Sequence, residues 1–172
     1  APVVNAGPDQ TYCVNNPSVL LNGSVTGSSV TGRWSASGTG TFSPNDSTLN
    51  ATYIPSSFDT IFGSVTLTLT STNNGNCIPV SDQVVINFTP KPVVSAGPDQ
   101  TMCANNEVTL NGIINGGSGT GVWTTSGSGS FVPDSITLNA AYQFSAADTT
   151  AGQVKLILAS ASFAGCLSVK DT

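Results

Sequence analysis

Apolar and polar residues alternate along much of the chain, and this pattern predicts short β-strands. The clearest run is residues 65–70, where Val, Leu and Leu alternate with threonine. A period of two places every second side chain on one face of a strand, so one face is buried and the other is polar. Similar runs lie at residues 3–6, 19–25, 32–35, 49–53 and 84–88. Separated by turns rich in Gly, Pro and Asn, they predict two sheets packed face to face.

The same pattern occurs twice. Residues 6–11 read Ala-Gly-Pro-Asp-Gln-Thr and recur at 96–101, an offset of 90 (from 6 to 96) that also relates Cys13 to Cys103. Further along, an offset of 89 (from 34 to 123) relates Trp34 to Trp123, Tyr53 to Tyr142 and Cys77 to Cys166. A repeat of this length is a whole small domain. The sequence therefore predicts an all-β protein of two tandem immunoglobulin-like β-sandwich domains, residues 1–89 and 90–172.

Two details refine the predicted elements. Val19 and Leu21 should face the core, because the second copy keeps both residue types and replaces Leu20 by threonine. Ser145 is followed by Asp148 three residues later, a spacing typical of the start of a helix. We therefore expect one short helical turn before the alternating strand of each copy.

The ends of the two copies differ. Residues 89–92 read Thr-Pro-Lys-Pro, and prolines this dense favour an extended, semi-rigid connector between the domains. The second copy ends at Thr172, so its last strand, the counterpart of residues 84–88, is missing. A sandwich without this strand exposes a hydrogen-bonding edge. We expect the natural chain to continue; the alternative is a strand donated by another copy, which would assemble a fibre.

Four cysteines fall at matched places, two in each copy, and four cysteines allow three pairings. The repeat favours a bond within each domain, Cys13 with Cys77 and Cys103 with Cys166. Such disulfides would indicate an oxidising, extracytoplasmic location. The alternative is four free, buried thiols. Metal binding by these cysteines is disfavoured, because the chain has neither a CxxC motif nor a histidine.

Charge narrows the range of partners. Charged residues make up 8% of the chain, and the net charge is −5. Four basic residues cannot form a basic stripe, which argues against nucleic acid and anionic membrane surfaces as partners. No apolar run reaches the roughly 18 residues of a spanning helix, so we expect no membrane insertion. Thr, Ser, Asn and Gly replace charge, as in secreted bacterial β-proteins.

The order of motifs carries a resemblance. Residues 2–11, Pro-Val-Val-Asn-Ala-Gly-Pro-Asp-Gln-Thr, precede a Cys, a Leu-Asn-Gly strand, a Trp strand and an Asn-Cys followed by Ser-Asp-Gln. This order resembles the polycystic-kidney-disease-like (PKD-like) and immunoglobulin-like repeats of very large Bacteroidetes surface proteins, which include gliding-motility adhesins and proteins exported by the type IX system. The resemblance covers essentially the whole chain. It departs from typical PKD domains, whose Trp-Asp-Phe-Gly-Asp-Gly motif is absent, because Trp34 is followed here by Ser-Ala-Ser.

The resemblance implies a β-sandwich in a stalk or adhesin at the bacterial cell surface. Its partners would be neighbouring repeats of the same chain, and its adhesive target would be surface glycans or proteins. The sequence thus predicts a structural or adhesive repeat unit of a long extracellular protein, with disulfides that staple each domain. The alternative is a carbohydrate-binding accessory module of a secreted enzyme.

The residue types leave little catalytic chemistry. No histidine is present, which removes Ser-His-Asp and Cys-His catalysis and most zinc sites. Several acidic residues sit in repeated turns, where Asp usually caps its own backbone, so we predict neither an enzyme nor a cofactor. Calcium prefers oxygen ligands, and the carboxylates that could bind it are Asp9, Asp46, Asp99 and Asp134. No DxDxDG loop is present, which favours structural turns instead.

Two further kinds of site follow from residue type. Asp followed by Ser or Thr, and then by an apolar residue or Thr, is the O-glycosylation motif of Bacteroidetes as a group. The hydroxyls that it would modify are Ser47, Thr60, Ser135 and Thr149, although plain turn caps would use the same residues. The aromatic residues that could stack on sugars are Trp34, Tyr53, Trp123 and Tyr142. Their recurrence at matched strand positions favours core packing.

Overall fold

The computed structural model describes residues 1–103 and 106–172, and strands dominate its regular structure. The chain divides into two compact units, Ala1–Thr89 and Pro90–Thr172. Short sheets in each unit enclose a hydrophobic core of its own. The fold is all-β and of the sandwich type, which confirms the predicted fold class.

The first unit consists of short strands and a single-turn helix. In chain order they are β1 (Val3–Asn5), β2 (Gln10–Cys13), β3 (Val19–Leu20), β4 (Ser24–Thr26), β5 (Thr31–Ala36), β6 (Thr41–Ser43), β7 (Thr52–Ile54), α1 (Ser57–Phe62), β8 (Ser64–Thr72) and β9 (Ser81–Thr89).

Two main sheets form the first unit. One has the strand order β2-β9-β8-β5 and the other the order β3-β7-β6, while β1 pairs with β4. β2 and β9 lie side by side and run parallel, with Gln10 opposite Ile86 and Cys13 opposite Thr89. The first strand of the larger sheet and the last strand of the unit are therefore direct neighbours.

β8 has the predicted alternation and fills the centre of the core. Val65, Leu67 and Leu69 are buried, and the threonines between them are half-buried. They pack in one cluster with Trp34 of β5 and Ile86 of β9. Burial of each such side chain stabilises the fold by about 1.5–3 kcal/mol. The face of β8 that carries the alternate apolar residues therefore packs inward.

Residues 19–25 do not form the single strand that was predicted. β3 ends at Leu20 and belongs to the β3-β7-β6 sheet. The chain then leaves this sheet, and β4 pairs with β1 instead. Gly23 lies at this crossing, where a Cβ would stand 2.6 Å from Cζ2 of Trp34, so a larger residue would displace the indole. The predicted facing is confirmed, because Val19 and Leu21 are buried and Leu20 is exposed.

Each unit contains the predicted helical turn. At α1, the Ser56 hydroxyl accepts the Asp59 N–H, and the Asp59 carboxylate accepts the Ser56 N–H, which is a capping box. Ser145 and Asp148 make the same pair of bonds in the second unit. The spacing of Ser and Asp in the sequence thus marks the start of both helices.

The second unit follows the same plan with less sheet. Its elements are β10 (Val93–Ser95), β11 (Val108–Thr109), β12 (Ile113–Asn115), β13 (Gly121–Thr125), β14 (Ser130–Val132), β15 (Ala141–Gln143), α2 (Ala146–Ala151), β16 (Leu156–Ser160) and β17 (Lys170–Asp171).

β17 is the shortened counterpart of β9. The carboxylate of Asp171 accepts the N–H of Ala96 at 2.8 Å, as Asp82 accepts the N–H of Ala6 at 2.8 Å in the first unit. The sequence ends one residue later, at Thr172. Residues 100–103, the counterpart of β2, form no strand.

Candidate functional site

The cysteine pairing predicted from the repeat is wrong. Cys77 and Cys103 are free thiols and exposed, so neither predicted bond is formed. The register of the first unit gives the reason. Cys13 lies opposite Thr89, at the end of β9, whereas Cys77 lies in the loop that precedes Ser81, at its start. Eight residues of strand separate these ends by about 26 Å, and a disulfide needs Cα atoms within about 7 Å.

A disulfide is nevertheless present. Cys13 takes part in a disulfide, and so does Cys166; both side chains are buried. Cys166 also lies in a bridge with Phe163 in the loop after β16, and its sulfur is 3.9 Å from the carbonyl oxygen of Pro90. Disulfides persist in oxidising compartments and are rare in the cytosol of mesophiles.

The second unit has an open groove of about 710 Å³ beside its core. Its apolar walls come from Val108, Leu110, Trp123 and Leu156, and Cys103 lies along its lining. The corresponding core of the first unit is closed by β9, whose apolar side chains Val84, Ile86 and Phe88 are buried. The groove thus lies beside the counterparts of residues that pack with β9 in the first unit, such as Val19, Leu21 and Trp34.

Sequence reasoning missed a buried carboxylate site in the first unit. The two carboxylate oxygens of Asp59 accept the N–H groups of Thr39 at 3.0 Å, Gly40 at 3.0 Å and Ser56 at 2.9 Å, and the hydroxyl of Tyr53 at 2.7 Å. Four donors saturate the acceptor capacity of a carboxylate. The site fixes α1 against the turn that precedes β6.

The second unit repeats this site. Asp148 accepts the N–H groups of Ser128 at 2.9 Å, Gly129 at 2.9 Å and Ser145 at 3.1 Å, together with the hydroxyl of Tyr142 at 2.9 Å. We call each set the Asp–Tyr site. The repeated pattern Tyr-x5-Asp, with Gly-x-Gly upstream, was the available signal in the sequence.

The hydrogen bonds of the Asp–Tyr sites favour the ionised carboxylates. Burial raises the pKa of Asp59, but the Ser56 N–H, the Tyr53 hydroxyl and the Thr39 N–H outweigh it and hold this pKa below its usual value. The Ser128 N–H is the main cause that lowers the pKa of Asp148 to about 2. Burial and the neighbouring Asp59 raise the pKa of the Tyr53 hydroxyl. The pair is thus a stable ion–phenol contact without a proton to exchange near neutral pH.

Three of the four calcium candidates, Asp9, Asp46 and Asp134, have separate partners. Asp9 accepts the N–H of Val85 at 2.8 Å, and Asp46 forms an ion pair with Arg33 at 2.7 Å. Asp134 accepts the Thr137 hydroxyl at 2.8 Å as well as backbone N–H groups, and these bonds lower its pKa, the Thr137 hydroxyl most. Asp99 is exposed. Across residues 1–103 and 106–172, no group of three or more His, Cys, Asp or Glu side chains could hold a metal ion.

The four O-glycosylation candidates differ in exposure. Ser47 and Thr149 are exposed, whereas Thr60 and Ser135 are half-buried. Three of the hydroxyls donate a hydrogen bond to a residue nearby in the sequence. Ser47 donates to Asn45 Oδ1 at 2.8 Å, Thr60 to the Ser57 carbonyl oxygen at 3.0 Å, and Thr149 to the Ala146 carbonyl oxygen at 2.9 Å. Ser47 and Thr149 are therefore the candidates whose hydroxyls are accessible to glycosylation.

The aromatic residues divide into a buried and an exposed group. Trp34, Trp123, Tyr53 and Tyr142 are all buried, so none offers a face on which a sugar could stack. Phe58 and Phe62 of α1 are exposed instead and stack with ring centroids 6.0 Å apart. Alanines stand at both corresponding positions of α2 (58 to 147 and 62 to 151), so this apolar pair belongs to the first unit alone.

Comparisons with known proteins give distant similarities only. No protein-family model matches the chain, and a search of curated proteins finds no match. Among solved structures, protocadherin gammaB7 repeats EC3-6 align with 99% of this chain and 46% of that chain, at 13% identity and a TM-score of 0.39. Human protocadherin-24 EC1-2 aligns over 99% and 93%, at 11% identity and a TM-score of 0.41.

A further similar structure is that of extracellular domains 3-5 of Drosophila OTK. It aligns with 95% of this chain and 57% of that chain, at 12% identity and a TM-score of 0.40. The chain spans about half the length of the gammaB7 structures that it matches, 46% and 48%. Within the described residues, no helix has the length and apolar character needed to cross a membrane.

Proposed function

We propose that the chain is a structural repeat unit of an extracellular protein, that it transmits tension along a stalk, and that it catalyses no reaction. The finer assignment is a stalk or adhesin at a bacterial cell surface, of the kind that the sequence motifs resemble, with surface glycans or proteins as its adhesive target. The observation that carries the proposal is the parallel pairing of β2 and β9, the second and the last strand of the first unit.

β2 and β9 are parallel neighbours near the two ends of the first unit. Tension applied to those ends pulls β2 toward Gln10 and β9 toward Thr89, which is in opposite directions along the strands. All hydrogen bonds of the pair are then loaded together, including that from the Val14 N–H to the Thr89 carbonyl at 3.0 Å. Breaking several bonds at once requires more force than breaking them one after another, so this geometry suits a unit under tension.

Disulfide bonding and surface composition support the extracellular part of the proposal. Cys13 and Cys166 are disulfide-bonded, and such bonds persist outside the reducing cytosol. Glycans on the exposed Ser47 and Thr149 would add solubility to a surface that has few charges.

The groove of the second unit fits strand completion, either by a neighbouring repeat or by a donated strand. An incoming strand needs apolar side chains at alternate positions to pack against the half-buried Leu156, beside the buried Trp123 and Val108. β9 itself has this pattern in Val84, Ile86 and Phe88. In the proposed stalk, a strand of this kind occupies the groove.

A pulling experiment on the first unit tests the mechanical proposal. The chain is tethered through its N-terminus and Thr89 in one version, and through Ser64 and Thr89 in the other, with reductant present so that no disulfide shares the load. The second pair of attachments opens the β8–β9 pair from one end, because Ser64 lies opposite Asn87. We expect a clearly higher unfolding force in the first version. Equal forces would remove the mechanical argument.

A peptide experiment tests strand completion separately. The nine-residue peptide Ser-Asp-Gln-Val-Val-Ile-Asn-Phe-Thr copies β9, and a control peptide carries Asn in place of Val84, Ile86 and Phe88. We expect the first peptide to slow amide exchange in β16 and around Trp123, and the control to leave it unchanged. If neither peptide slows amide exchange, strand completion is wrong. The proposal that the first unit bears tension would then still be tested by the pulling experiment alone.

A further inference from the structure

The sequence contains four Asn-Gly pairs, and the structure holds them in different ways. Their asparagines are Asn22, Asn74, Asn111 and Asn115. In such a pair the backbone nitrogen of the glycine can attack the side-chain carbonyl carbon of the asparagine, because glycine has no Cβ to hinder the approach. The attack closes a five-membered ring, so the asparagine backbone must leave the extended conformation. Local structure therefore decides which of the four pairs can react.

Hydrogen bonds or strand pairing restrain three of these pairs. Gly23 and Gly112 donate their N–H groups to backbone carbonyl oxygens, at 3.2 Å and 3.1 Å. A nitrogen held in this way cannot turn toward the preceding side chain until the neighbouring segment opens. Asn115 is the last residue of β12 and lies opposite Val93, and this pairing keeps its backbone extended. All three pairs are thus protected as long as the fold stays closed.

The fourth pair, Asn74 and Gly75, lies in the loop that joins β8 to β9. Among the residues that the structure describes, none accepts a hydrogen bond from the Gly75 N–H. Nothing lies within 4 Å of the place where a Cβ of Gly75 would stand, so this part of the loop is uncrowded. The second unit has Phe163 and Ala164 at the corresponding positions (74 to 163 and 75 to 164), so the pair belongs to the first unit alone.

A single hydrogen bond restrains the side chain of Asn74. Its Nδ2 donates to the Ser71 carbonyl oxygen at 3.1 Å. Its Oδ1 is shielded from water and has no hydrogen-bond partner among the described residues. A buried amide oxygen without a donor is unfavourable, so the folded loop gains little stability by keeping this amide in place.

We propose that Asn74 is a site of spontaneous deamidation in the folded protein. The Gly75 nitrogen loses its proton to the solvent and attacks Cγ of Asn74. The new C–N bond closes a succinimide ring, the Cγ–Nδ2 bond breaks, and ammonia leaves with a proton returned by the solvent. This step needs neither an enzyme nor an oxidant, and it does not depend on the function proposed above.

One water molecule then opens the succinimide ring at either of its two carbonyl carbons. Opening at the former backbone carbon leaves an isoaspartate, in which the main chain runs through the side-chain carbons, and opening at Cγ leaves an ordinary aspartate. One water is consumed and one ammonia is released, whichever product forms. Either product adds one negative charge to a chain whose net charge is −5.

The new carboxylate changes the hydrogen bonding of the loop. It has no proton to donate to the Ser71 carbonyl oxygen, so two acceptor oxygens would face each other. Ser71 fixes the end of the β8–β9 hairpin, because its N–H donates to the Val80 carbonyl oxygen at 2.9 Å and its hydroxyl accepts the Val80 N–H at 2.9 Å. Isoaspartate also lengthens the turn that the Cys77 N–H closes on the Asn74 carbonyl oxygen at 3.0 Å. Deamidation should therefore loosen the loop beside β9.

Ageing of the chain in a mildly alkaline buffer tests the proposal, with mass spectrometry to locate each deamidated residue. Each event raises the mass of a peptide by about one dalton, and electron-transfer fragmentation distinguishes isoaspartate from aspartate. In the folded chain we expect Asn74 to react roughly tenfold or more faster than Asn22, Asn111 and Asn115. In denaturant the four should react at similar rates. Similar rates in the folded chain, or the same ranking in denaturant, would overturn the proposal.

Three variants test the chemistry and its consequence. Gly75→Ala places a Cβ beside the attacking nitrogen and should slow the reaction of Asn74 roughly tenfold. Asn74→Gln keeps an amide but requires a larger ring, so the more acidic species that grows during ageing should be absent on ion exchange. Asn74→Asp should reproduce the faster amide exchange of Val80 in the aged chain. Protection of β8 amides checks that all three variants fold, and an unchanged rate in folded Gly75→Ala would contradict the mechanism.

Discussion

Replacing Tyr53 by phenylalanine removes one hydroxyl from the Asp–Tyr site of the first unit and leaves the ring in place. The hydroxyl donates to Asp59 at 2.7 Å and accepts the Gly40 N–H at 3.2 Å. Tyr53 is fully buried, so water cannot replace the lost donor without rearrangement of the core. The substitution therefore tests the hydrogen bond rather than the packing.

The expected loss follows from the charge of the acceptor. Hydrogen bonds to charged groups contribute about 1.5–3 kcal/mol to stability. Asp59 keeps its three backbone donors in the variant, so the carboxylate does not become an unpaired buried charge, and we expect the loss to stay within this range. Such a loss lowers the ratio of folded to unfolded molecules roughly ten- to hundredfold.

Hydrogen exchange read by mass spectrometry measures this loss in each unit separately. Peptides from β8 report on the first unit and peptides from β16 report on the second. Tyr12→Phe is the matched control, because the Tyr12 hydroxyl donates to Gln10 at 2.8 Å and its partner is not a buried charge; it should cost less than about 0.5 kcal/mol. Equal losses for Tyr53→Phe and Tyr12→Phe, or a loss confined to β16, would refute the reasoning.

Three further outcomes are expected. The ionised Asp148 stabilises the fold at pH values above about 4, and this contribution should be lost as the pH falls through the folded pKa of about 2. When acid unfolding is followed at β16, the Asp148→Asn variant should therefore lose less stability between about pH 4 and pH 2 than the unmodified chain. Gly23→Ala should destabilise the first unit by about 1–3 kcal/mol, measured by urea unfolding, because the new Cβ would stand 2.6 Å from Trp34. Ser56→Ala should cost about 1 kcal/mol through loss of the N-cap, seen as faster exchange of the α1 amides.

Local patterns in the sequence were sufficient for elements whose cause is local. The alternation in β8 follows from burial of Val65, Leu67 and Leu69 on one face, and the capping boxes follow from a hydroxyl and a carboxylate three residues apart. Period and spacing act over a few residues, so they can be read without knowing the topology. The sandwich class followed from the same signals.

Features that depend on register and topology could not be derived in this way. The repeat showed that Cys13 and Cys77 recur, but only the parallel pairing of β2 with β9 places them at opposite ends of a sheet. Asp59 directly precedes the glycosylation candidate Thr60 in the sequence, which suggests a local turn, whereas its donors come from separate segments that include Thr39 and Tyr53. The break between β3 and β4 likewise depends on the close approach of Gly23 to an indole.

Pulling the reduced chain by its two ends tests the transmission of tension most directly. The first unit has the parallel β2–β9 pair, and the second unit has no counterpart of it among its described residues. The account predicts two unfolding events of unequal force, the stronger of which weakens in Val14→Pro, a variant without the N–H that donates to Thr89 at 3.0 Å. Two events of equal force, both unchanged by Val14→Pro, would contradict it.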